Sequence, residues 1–326
     1  MKFLVTGGAG FIGSNFVRRI ASHENKRDSV IILDSLTYSG NLENLKDVLT
    51  QENISFIRGD IRDAGLVETL MAGVDICVNF AAESHVDRSI ASPVEVVDTN
   101  VMGTLNLLQA ARKTSLRKYI QVSTDEVYGS IPLGEWTENS PLLPNSPYSA
   151  SKAAGDLLAK AYFRTYGLDI NITRCTNNYG PYQFPEKLIP LFVTNLLEGK
   201  NVPIYGEGLN IRDWLHVDDH CHAIELVARN GIPGEIYNIG GGLEITNIDL
   251  TNRLLGLMGF GSERVEYVED RQGHDFRYSL NFDKIRSELG YQPRVTFEDG
   301  FMQTIEWYKQ NPQWWMPLVQ NRSETS

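Results

Sequence analysis

Cysteine is scarce in this 326-residue chain: three residues, Cys77, Cys175 and Cys221, far apart and odd in number. No disulfide framework and no metal-ligand spacing is visible, which fits a reducing cytoplasm and predicts no bound metal. Basic residues are outnumbered, 30 Lys and Arg against 41 Asp and Glu, for a net charge of -11. That balance argues against a surface that coats nucleic acid, although a few Arg residues and helix N-termini still suffice to bind a phosphate. No apolar run is long enough to span a bilayer, so no membrane partner is expected. The N-terminus enters a strand at once, and no signal peptide is expected there. Internal repeats and low-complexity segments are missing too. The 42% hydrophobic and 22% charged residues are those of a globular protein, long enough for a large core and for more than one domain.

The first half alternates short apolar runs with amphipathic stretches. Lys2–Val5 reads as a buried strand, followed by Thr6-Gly-Gly-Ala-Gly-Phe-Ile-Gly13 and a helix to Ala21. Gly7, Gly10 and Gly13 (with Gly8 besides) fit a dinucleotide fingerprint, in which glycine allows a tight turn, close approach to a pyrophosphate and close helix–strand packing. Asp34 ends the next strand, Val30–Asp34, 21 residues after Gly13. A carboxylate there accepts hydrogen bonds from ribose hydroxyls and repels a 2′-phosphate, which favours NAD over NADP. Ile54–Ile57 is a third strand, with Asp60 beyond its end as a candidate adenine contact or a helix-capping group. Asp75–Phe80 is a fourth, and the small residues Ala81 and Ala82 after it leave room for a cofactor. Residues 93–112 are expected to form one long helix. The fold class predicted is α/β, a doubly wound parallel (Rossmann) sheet with a smaller C-terminal α/β substrate domain. The boundary falls where Pro, Tyr and Asn become frequent: 1–175 for NAD binding and 176–326 for a sugar nucleotide, some later segments returning to the first domain.

A fifth strand runs into Ser123-Thr-Asp-Glu-Val-Tyr-Gly129. Ligands of open α/β sheets bind outside the carboxyl ends of strands, and two adjacent carboxylates repel, so their pKa values can separate into an acid and a base. Tyr148 and Lys152 lie four apart at the start of another helix, on one face, with Ser146 as its N-cap and Pro147 in the first turn. An ammonium beside a phenol, together with a positive nicotinamide ring, lowers the phenol's pKa and makes Tyr148 a base for a sugar hydroxyl.

With these residues in hand, the chain resembles the extended short-chain dehydrogenase/reductases of the sugar-nucleotide branch. The resemblance covers almost the whole chain. Its marks are the glycine loop, Leu36-Thr-Tyr-Ser-Gly-Asn41, Ala81-Ala-Glu-Ser-His-Val-Asp-Arg-Ser89, Ser123–Tyr128, Tyr148–Lys152, Asn177-Asn-Tyr-Gly-Pro181, Phe184–Pro190, Ile211-Arg-Asp-Trp214 and Asp270-Arg-Gln-Gly-His-Asp275. It implies the 4,6-dehydration of dTDP-glucose by an NAD-containing homodimer, built on helices near 93–112 and 149–166. Thr124-Asp-Glu126 is the most discriminating mark: related 4-epimerases lack the acid pair, and related decarboxylases usually carry Ser at 125. A UDP-sugar dehydratase, a 4-epimerase and a decarboxylase stand as alternatives.

The implied mechanism has Tyr148, supported by Lys152, take the O4 proton while C4 passes hydride to NAD, with Thr124 holding O4. Glu126 removes the C5 proton, Asp125 protonates the departing C6 hydroxyl, and the hydride returns to C6. By resemblance the cofactor contacts are Gly7, Gly10, Phe11, Ile12, Gly13, Asp34, Ser35, Leu36, Thr37, Asp60, Ile61, Ala81, Ala82, Glu83, Thr99, Tyr148, Lys152 and Asn178. Those of the substrate are Ser84, His85, Thr124, Asn177, Lys187, Leu188, Pro203, Tyr205, Arg212, Asn247, Arg271 and His274, with Arg212 and Arg271 suited to a pyrophosphate through the guanidinium fork. Phe276 stands where many relatives have Arg, whereas Arg277 and Tyr278 are kept. Residues 281–290 and 296–309 read as closing helices, Trp307, Trp314 and Trp315 as packing groups, and 321–326 as a frayed polar tail.

Overall fold

A computed structural model describes residues 1–23, 28–114, 116–270 and 274–324, with side chains through 320. Among the described residues the strands are β1 (Lys2–Thr6), β2 (Ser29–Asp34), β3 (Ile54–Arg58), β4 (Ile76–Asn79), β5 (Lys118–Thr124), β6 (Ile170–Cys175), β7 (Asn177–Tyr179), β8 (Val202–Tyr205), β9 (Ile211–His216), β10 (Ile236–Ile239), β11 (Glu244–Thr246) and β12 (Val265–Val268). Seven of them form a parallel sheet in the order β10-β6-β5-β4-β1-β2-β3. The order reverses between β1 and β4, the switch point where a doubly wound sheet opens a crevice. A small sheet, β11-β9-β7, and a pair, β12-β8, build the second lobe.

The strand sequences are nearly continuous apolar runs because helices cover both faces. On one face, Phe3, Val5, Ile32 and Val78 pack with Phe16, Val17 and Ile20 of the helix Phe11–Ala21 and with Ile224 and Val227 of the helix Val217–Asn230. On the other, Leu4, Leu33, Cys77 and Tyr119 meet Leu107 and Leu108 of Thr104–Thr114 and Ala159 and Tyr162 of Pro147–Tyr166. The second lobe has its own core, where Tyr179, Trp214, Phe297, Phe301, Trp314 and Trp315 are buried together. The edge strand β10 comes from far down the chain, so the central sheet is completed by residues beyond 176.

The long helix expected over 93–112 is interrupted. Pro93–Val97 and Thr104–Thr114 are α-helical, and Asp98–Gly103 between them is π-helical. The extra residue per turn re-aims side chains, which is why such insertions collect at functional sites. Of the polar tail 321–326, expected to fray, residues 321–324 continue the helix Pro312–Glu324, and 325 and 326 lie outside the described residues.

Candidate active site

The crevice at the switch point is floored by the loop after β1. Gly7 has φ +68, and a Cβ on it would meet the backbone nitrogen of Ala81 at 2.6 Å. A Cβ on Gly13 would lie 2.2 Å from the Gly7 carbonyl oxygen. Only glycine lets this loop, the chain after β4 and the first helical turn approach so closely. At the end of β2, Asp34 is buried; its Oδ2 accepts from the Ala9 amide at 2.9 Å and its Oδ1 from the Leu36 amide at 2.8 Å. Each oxygen retains a second lone pair. Glycine backbone at a helix N-terminus beside a fixed carboxylate suits the pyrophosphate and ribose of NAD.

One cleft gathers Gly7, Gly10, Phe11, Ile12, Gly13, Asp34, Ser35, Thr37, Asp60, Ile61, Ala81, Ala82, Glu83, Thr99, Tyr148, Lys152 and Asn178. Of the expected cofactor set only Leu36 does not line it; its φ is +55 as the chain turns beyond Asp34. Asp60 pairs with Arg62 at 2.7 Å, and Asp63 caps the next helix by accepting from the Leu66 amide at 3.0 Å. Asn178 is held by its neighbours: Oδ1 lies 2.9 Å from Nδ1 of His220, and Nδ2 donates to the Thr176 carbonyl at 2.9 Å. Burial takes the His220 imidazole down to about 3, so it stays neutral.

The polar end of β5 lies in the same cleft. Thr124 caps a short 3-10 turn, Asp125–Tyr128, accepting from the Glu126 amide at 3.3 Å. Asp125 is 3% exposed, its Oδ1 accepts from the Thr124 hydroxyl at 3.2 Å, and its Oδ2 has no hydrogen-bond partner among the described residues. Burial, and then the charge of Glu126, push the Asp125 carboxyl well above the usual carboxylate range. That shift biases Asp125 toward its protonated form more than an exposed carboxyl. The helix Pro147–Tyr166 starts in a capping box: the Ser146 hydroxyl accepts from the Ser149 amide at 3.1 Å, and the Ser149 hydroxyl from the Ser146 amide at 3.0 Å. That cap sets the first helical turn, which carries Tyr148. Lys152, one turn on, donates to the Val122 carbonyl at 2.6 Å, and burial lowers its pKa.

The protein's own groups act on the phenol. Tyr148 is raised well above its ordinary value, by burial first and then by Glu126, Cys175 and Asp125, with a hydrogen bond to Thr124 opposing.

The substrate set divides. Ser84, Thr124, Asn177 and Lys187 line the cleft, and Lys187 reaches over to donate to the Ser84 carbonyl at 3.0 Å. His85 caps the helix Val86–Ala91 and stands 3.7 Å from Glu186. Leu188 opens the helix Leu188–Leu197. Pro203, Tyr205, Arg212, Asn247 and His274 belong to the second lobe and do not line the cleft; Arg271 lies outside the described residues. Four of them cluster about the 274–278 segment. The Tyr205 and His274 rings are 6.3 Å apart, and the Asn247 amide donates to Asn210, whose side chain donates to the Asp275 carbonyl. Arg212 is anchored by backbone groups, and its charge reaches Asp125, where it lowers the carboxyl pKa against the effect of burial. Its guanidinium donates to the carbonyls of Ile211, Asp275 and Phe276 (2.8, 2.8 and 3.2 Å) and stacks on Tyr278, which leaves further N–H donors of the fork.

Sequence reasoning missed two buried connectors. Asn100, in the π segment, accepts from the Glu83 amide at 2.9 Å, donates to the Glu83 carbonyl at 3.0 Å and to Ser151 at 2.8 Å. Ser151 in turn donates to the Tyr148 carbonyl. The Ser89 hydroxyl accepts from the Tyr148 amide at 3.2 Å. Ser89 ends the Ala81–Ser89 motif, whereas Asn100 has no local signal, because its partners are distant in sequence.

Comparison with known proteins points the same way as the geometry. Residues 4–304 match the family described as GDP-mannose 4,6 dehydratase. A dTDP-glucose 4,6-dehydratase of Streptomyces niveus is 58% identical, the match covering 98% of this chain and 96% of that protein. The crystal structure of DesIV, a dTDP-glucose 4,6-dehydratase of Streptomyces venezuelae solved with NAD bound, superposes with a TM-score of 0.96 at 59% identity, covering 98% of this chain and all of that one. A UDP-glucose 4-epimerase of Thermotoga maritima, solved with UDP-glucose, has a TM-score of 0.89 at 32% identity and covers 96% of this chain and 100% of its own.

Proposed function

The chain belongs to the GDP-mannose 4,6 dehydratase family, and on that premise we infer that it is an NAD-dependent carbon–oxygen lyase converting dTDP-glucose to dTDP-4-keto-6-deoxyglucose and water. The observation that carries the reading is the placement of Thr124, Asp125 and Glu126 in one cleft with Tyr148 and Lys152, Asp125 being the carboxyl that burial biases toward its protonated form. When bound, NAD supplies the hydride acceptor for C4, the donor for C6 and, in its oxidised form, a positive ring beside Tyr148.

The residues divide the work by protonation state. Tyr148 takes the O4 proton, Thr124 holds O4, and Lys152 brings a positive charge that opposes the high phenol pKa. The C4 ketone acidifies the C5 proton, which Glu126 removes and gives back to C5 once C6 is reduced. Asp125 delivers a proton to the C6 hydroxyl, so that it leaves as water. Asp34 takes the ribose hydroxyls, and the glycine loop with Phe11 and Ile12 takes the pyrophosphate. The second-lobe cluster of Tyr205, Asn247 and His274 takes the nucleotide end of the substrate, with Arg212 shaping its wall. We place the enzyme in the cytoplasm, which keeps the free cysteines Cys77, Cys175 and Cys221 reduced. A homodimer is supported by the exposed apolar side chains Ile90, Val94, Val97, Met102 and Leu157.

The test is a mass spectrum of purified protein incubated with dTDP-glucose and, separately, with UDP-glucose. Loss of one water from the thymidine substrate is the expected result. A C4 epimer of unchanged mass overturns the dehydratase reading.

A further inference from the structure

Three loops border the cofactor cleft, and they are cross-linked by side chains that the reaction does not use. The loop after β2 lines the cleft with Ser35, Thr37, Ser39 and Gly40, the loop after β4 with Ala81 to Ser84, and the loop after β7 with Gln183, Phe184, Glu186 and Lys187. Tyr38 belongs to the first. Its ring carries the Arg88 guanidinium at 3.9 Å from its centroid and meets the Phe184 ring edge-on at 5.6 Å. Arg88, from the helix after the second loop, has its Nε 3.9 Å from the Glu186 carboxylate of the third. Burial, with Glu186 and Glu83 adding to it, pushes the Tyr38 phenol well above its ordinary value, so the ring stays neutral and keeps its attraction for a cation.

We propose that Arg88 is a positioning residue which, stacked on Tyr38 and paired with Glu186, fastens the three loops into a clasp that retains the dinucleotide in its cleft. The inference rests on the cofactor reading given above. Its chemical logic follows from the reaction. The sugar is oxidised at C4 and reduced at C6, so the cofactor ends each turnover in the state in which it began. An enzyme that exchanges its cofactor every cycle needs loops that open every cycle, whereas this one has no such need. On this proposal a dinucleotide leaving the cleft parts at least two of the three loops, and parting any two breaks one or more contacts of Tyr38, Arg88 and Glu186. Arg88 is half-exposed and the contacts are few, so the clasp slows release by a modest factor; it does not make it impossible.

The experiment measures NAD retained after gel filtration, and its release rate on dilution into a competing dinucleotide, for wild type, Arg88→Met, Arg88→Lys, Tyr38→Leu and Tyr38→Phe. Arg88→Met and Tyr38→Leu should release NAD roughly tenfold faster, about the worth of one partly desolvated cation–π contact. Tyr38→Phe keeps the ring and should retain NAD like wild type, and Arg88→Lys should recover part of the loss. In turnover assays the defect should appear in the concentration of added NAD that gives half-maximal rate, more than in the rate at saturation. Release from Arg88→Met at the wild-type rate overturns the clasp, as does a tenfold loss in Tyr38→Phe, since the hydroxyl and not the ring would then be responsible. Wild-type protein that binds no NAD under any condition overturns the cofactor reading itself, a result the variants cannot imitate.

Discussion

Lys152 donates its ammonium to the carbonyl of Val122 at 2.6 Å, two residues before Thr124. One bond thus joins the helix that carries Tyr148 to the strand that delivers the acid pair. The carbonyl consumes one of the ammonium's three donors and fixes the side chain inside the cleft, where burial lowers its pKa.

Replacing Lys152 by Met should cost catalysis and local order together. The variant loses the ammonium proposed above to oppose the high phenol pKa of Tyr148 and removes its hydrogen bond to the Val122 carbonyl. Steady-state assays at saturating NAD should show kcat lower by roughly 10²- to 10⁴-fold, the range for a positioned proton-transfer group. A loss under tenfold would remove Lys152 from the proton chemistry.

Asp125→Asn should separate activity from stability. An amide of the same shape cannot give a proton to the departing hydroxyl, so water loss should fall by about 10²- to 10⁴-fold. The folded protein holds the Asp125 proton more tightly than the unfolded chain does. Its contribution to stability is therefore complete below the ordinary carboxylate value of 3.8 and is lost as pH rises through the folded value. At neutral pH the Asn variant should melt above wild type, and the gap should close as pH falls toward 3.8. A variant that melts below wild type at neutral pH would show that the carboxylate is favourably paired there.

Glu126→Gln should stop the sequence one step earlier than Asp125→Asn does. C4 oxidation needs Tyr148, so the near-ultraviolet absorbance of reduced nicotinamide should still rise on adding substrate. Exchange of the C5 hydrogen with deuterated solvent should fall by roughly 10²-fold or more, because its base is gone. Exchange at the wild-type rate would assign that step to another group.

Gly13→Ala tests the floor of the cleft. The added Cβ would sit 2.2 Å from the Gly7 oxygen and 2.8 Å from the Gly8 Cα, both backbone atoms. The glycine loop must move, at a cost of about 1–3 kcal/mol in stability. NAD retention should drop with it, measured as the nucleotide recovered from acid-denatured protein. Full retention and an unchanged melting temperature would mean that the loop tolerates the shift.

What the sequence determined by itself is local or periodic. The glycine spacing beside Asp34, the apolar runs of β1 to β6 and the Ser146 cap each depend on residues close in the chain. Their geometry follows from backbone sterics, the helical repeat and the burial of both sheet faces. Tyr148 and Lys152 share a face for the same reason. What only the tertiary structure decided is where distant groups meet and what their surroundings do to charge. Arg212 offers a guanidinium fork by its residue type, but what orients that fork is the carbonyls of Asp275 and Phe276, more than sixty residues away. The phenol of Tyr148 rises because folding removes water from it and brings Glu126 near, a desolvation no spacing encodes. Asn100 brackets Glu83 and reaches Ser151 because a π turn, not a straight helix, places it there. Such contacts join segments that only the packing of the whole sheet brings within hydrogen-bond reach.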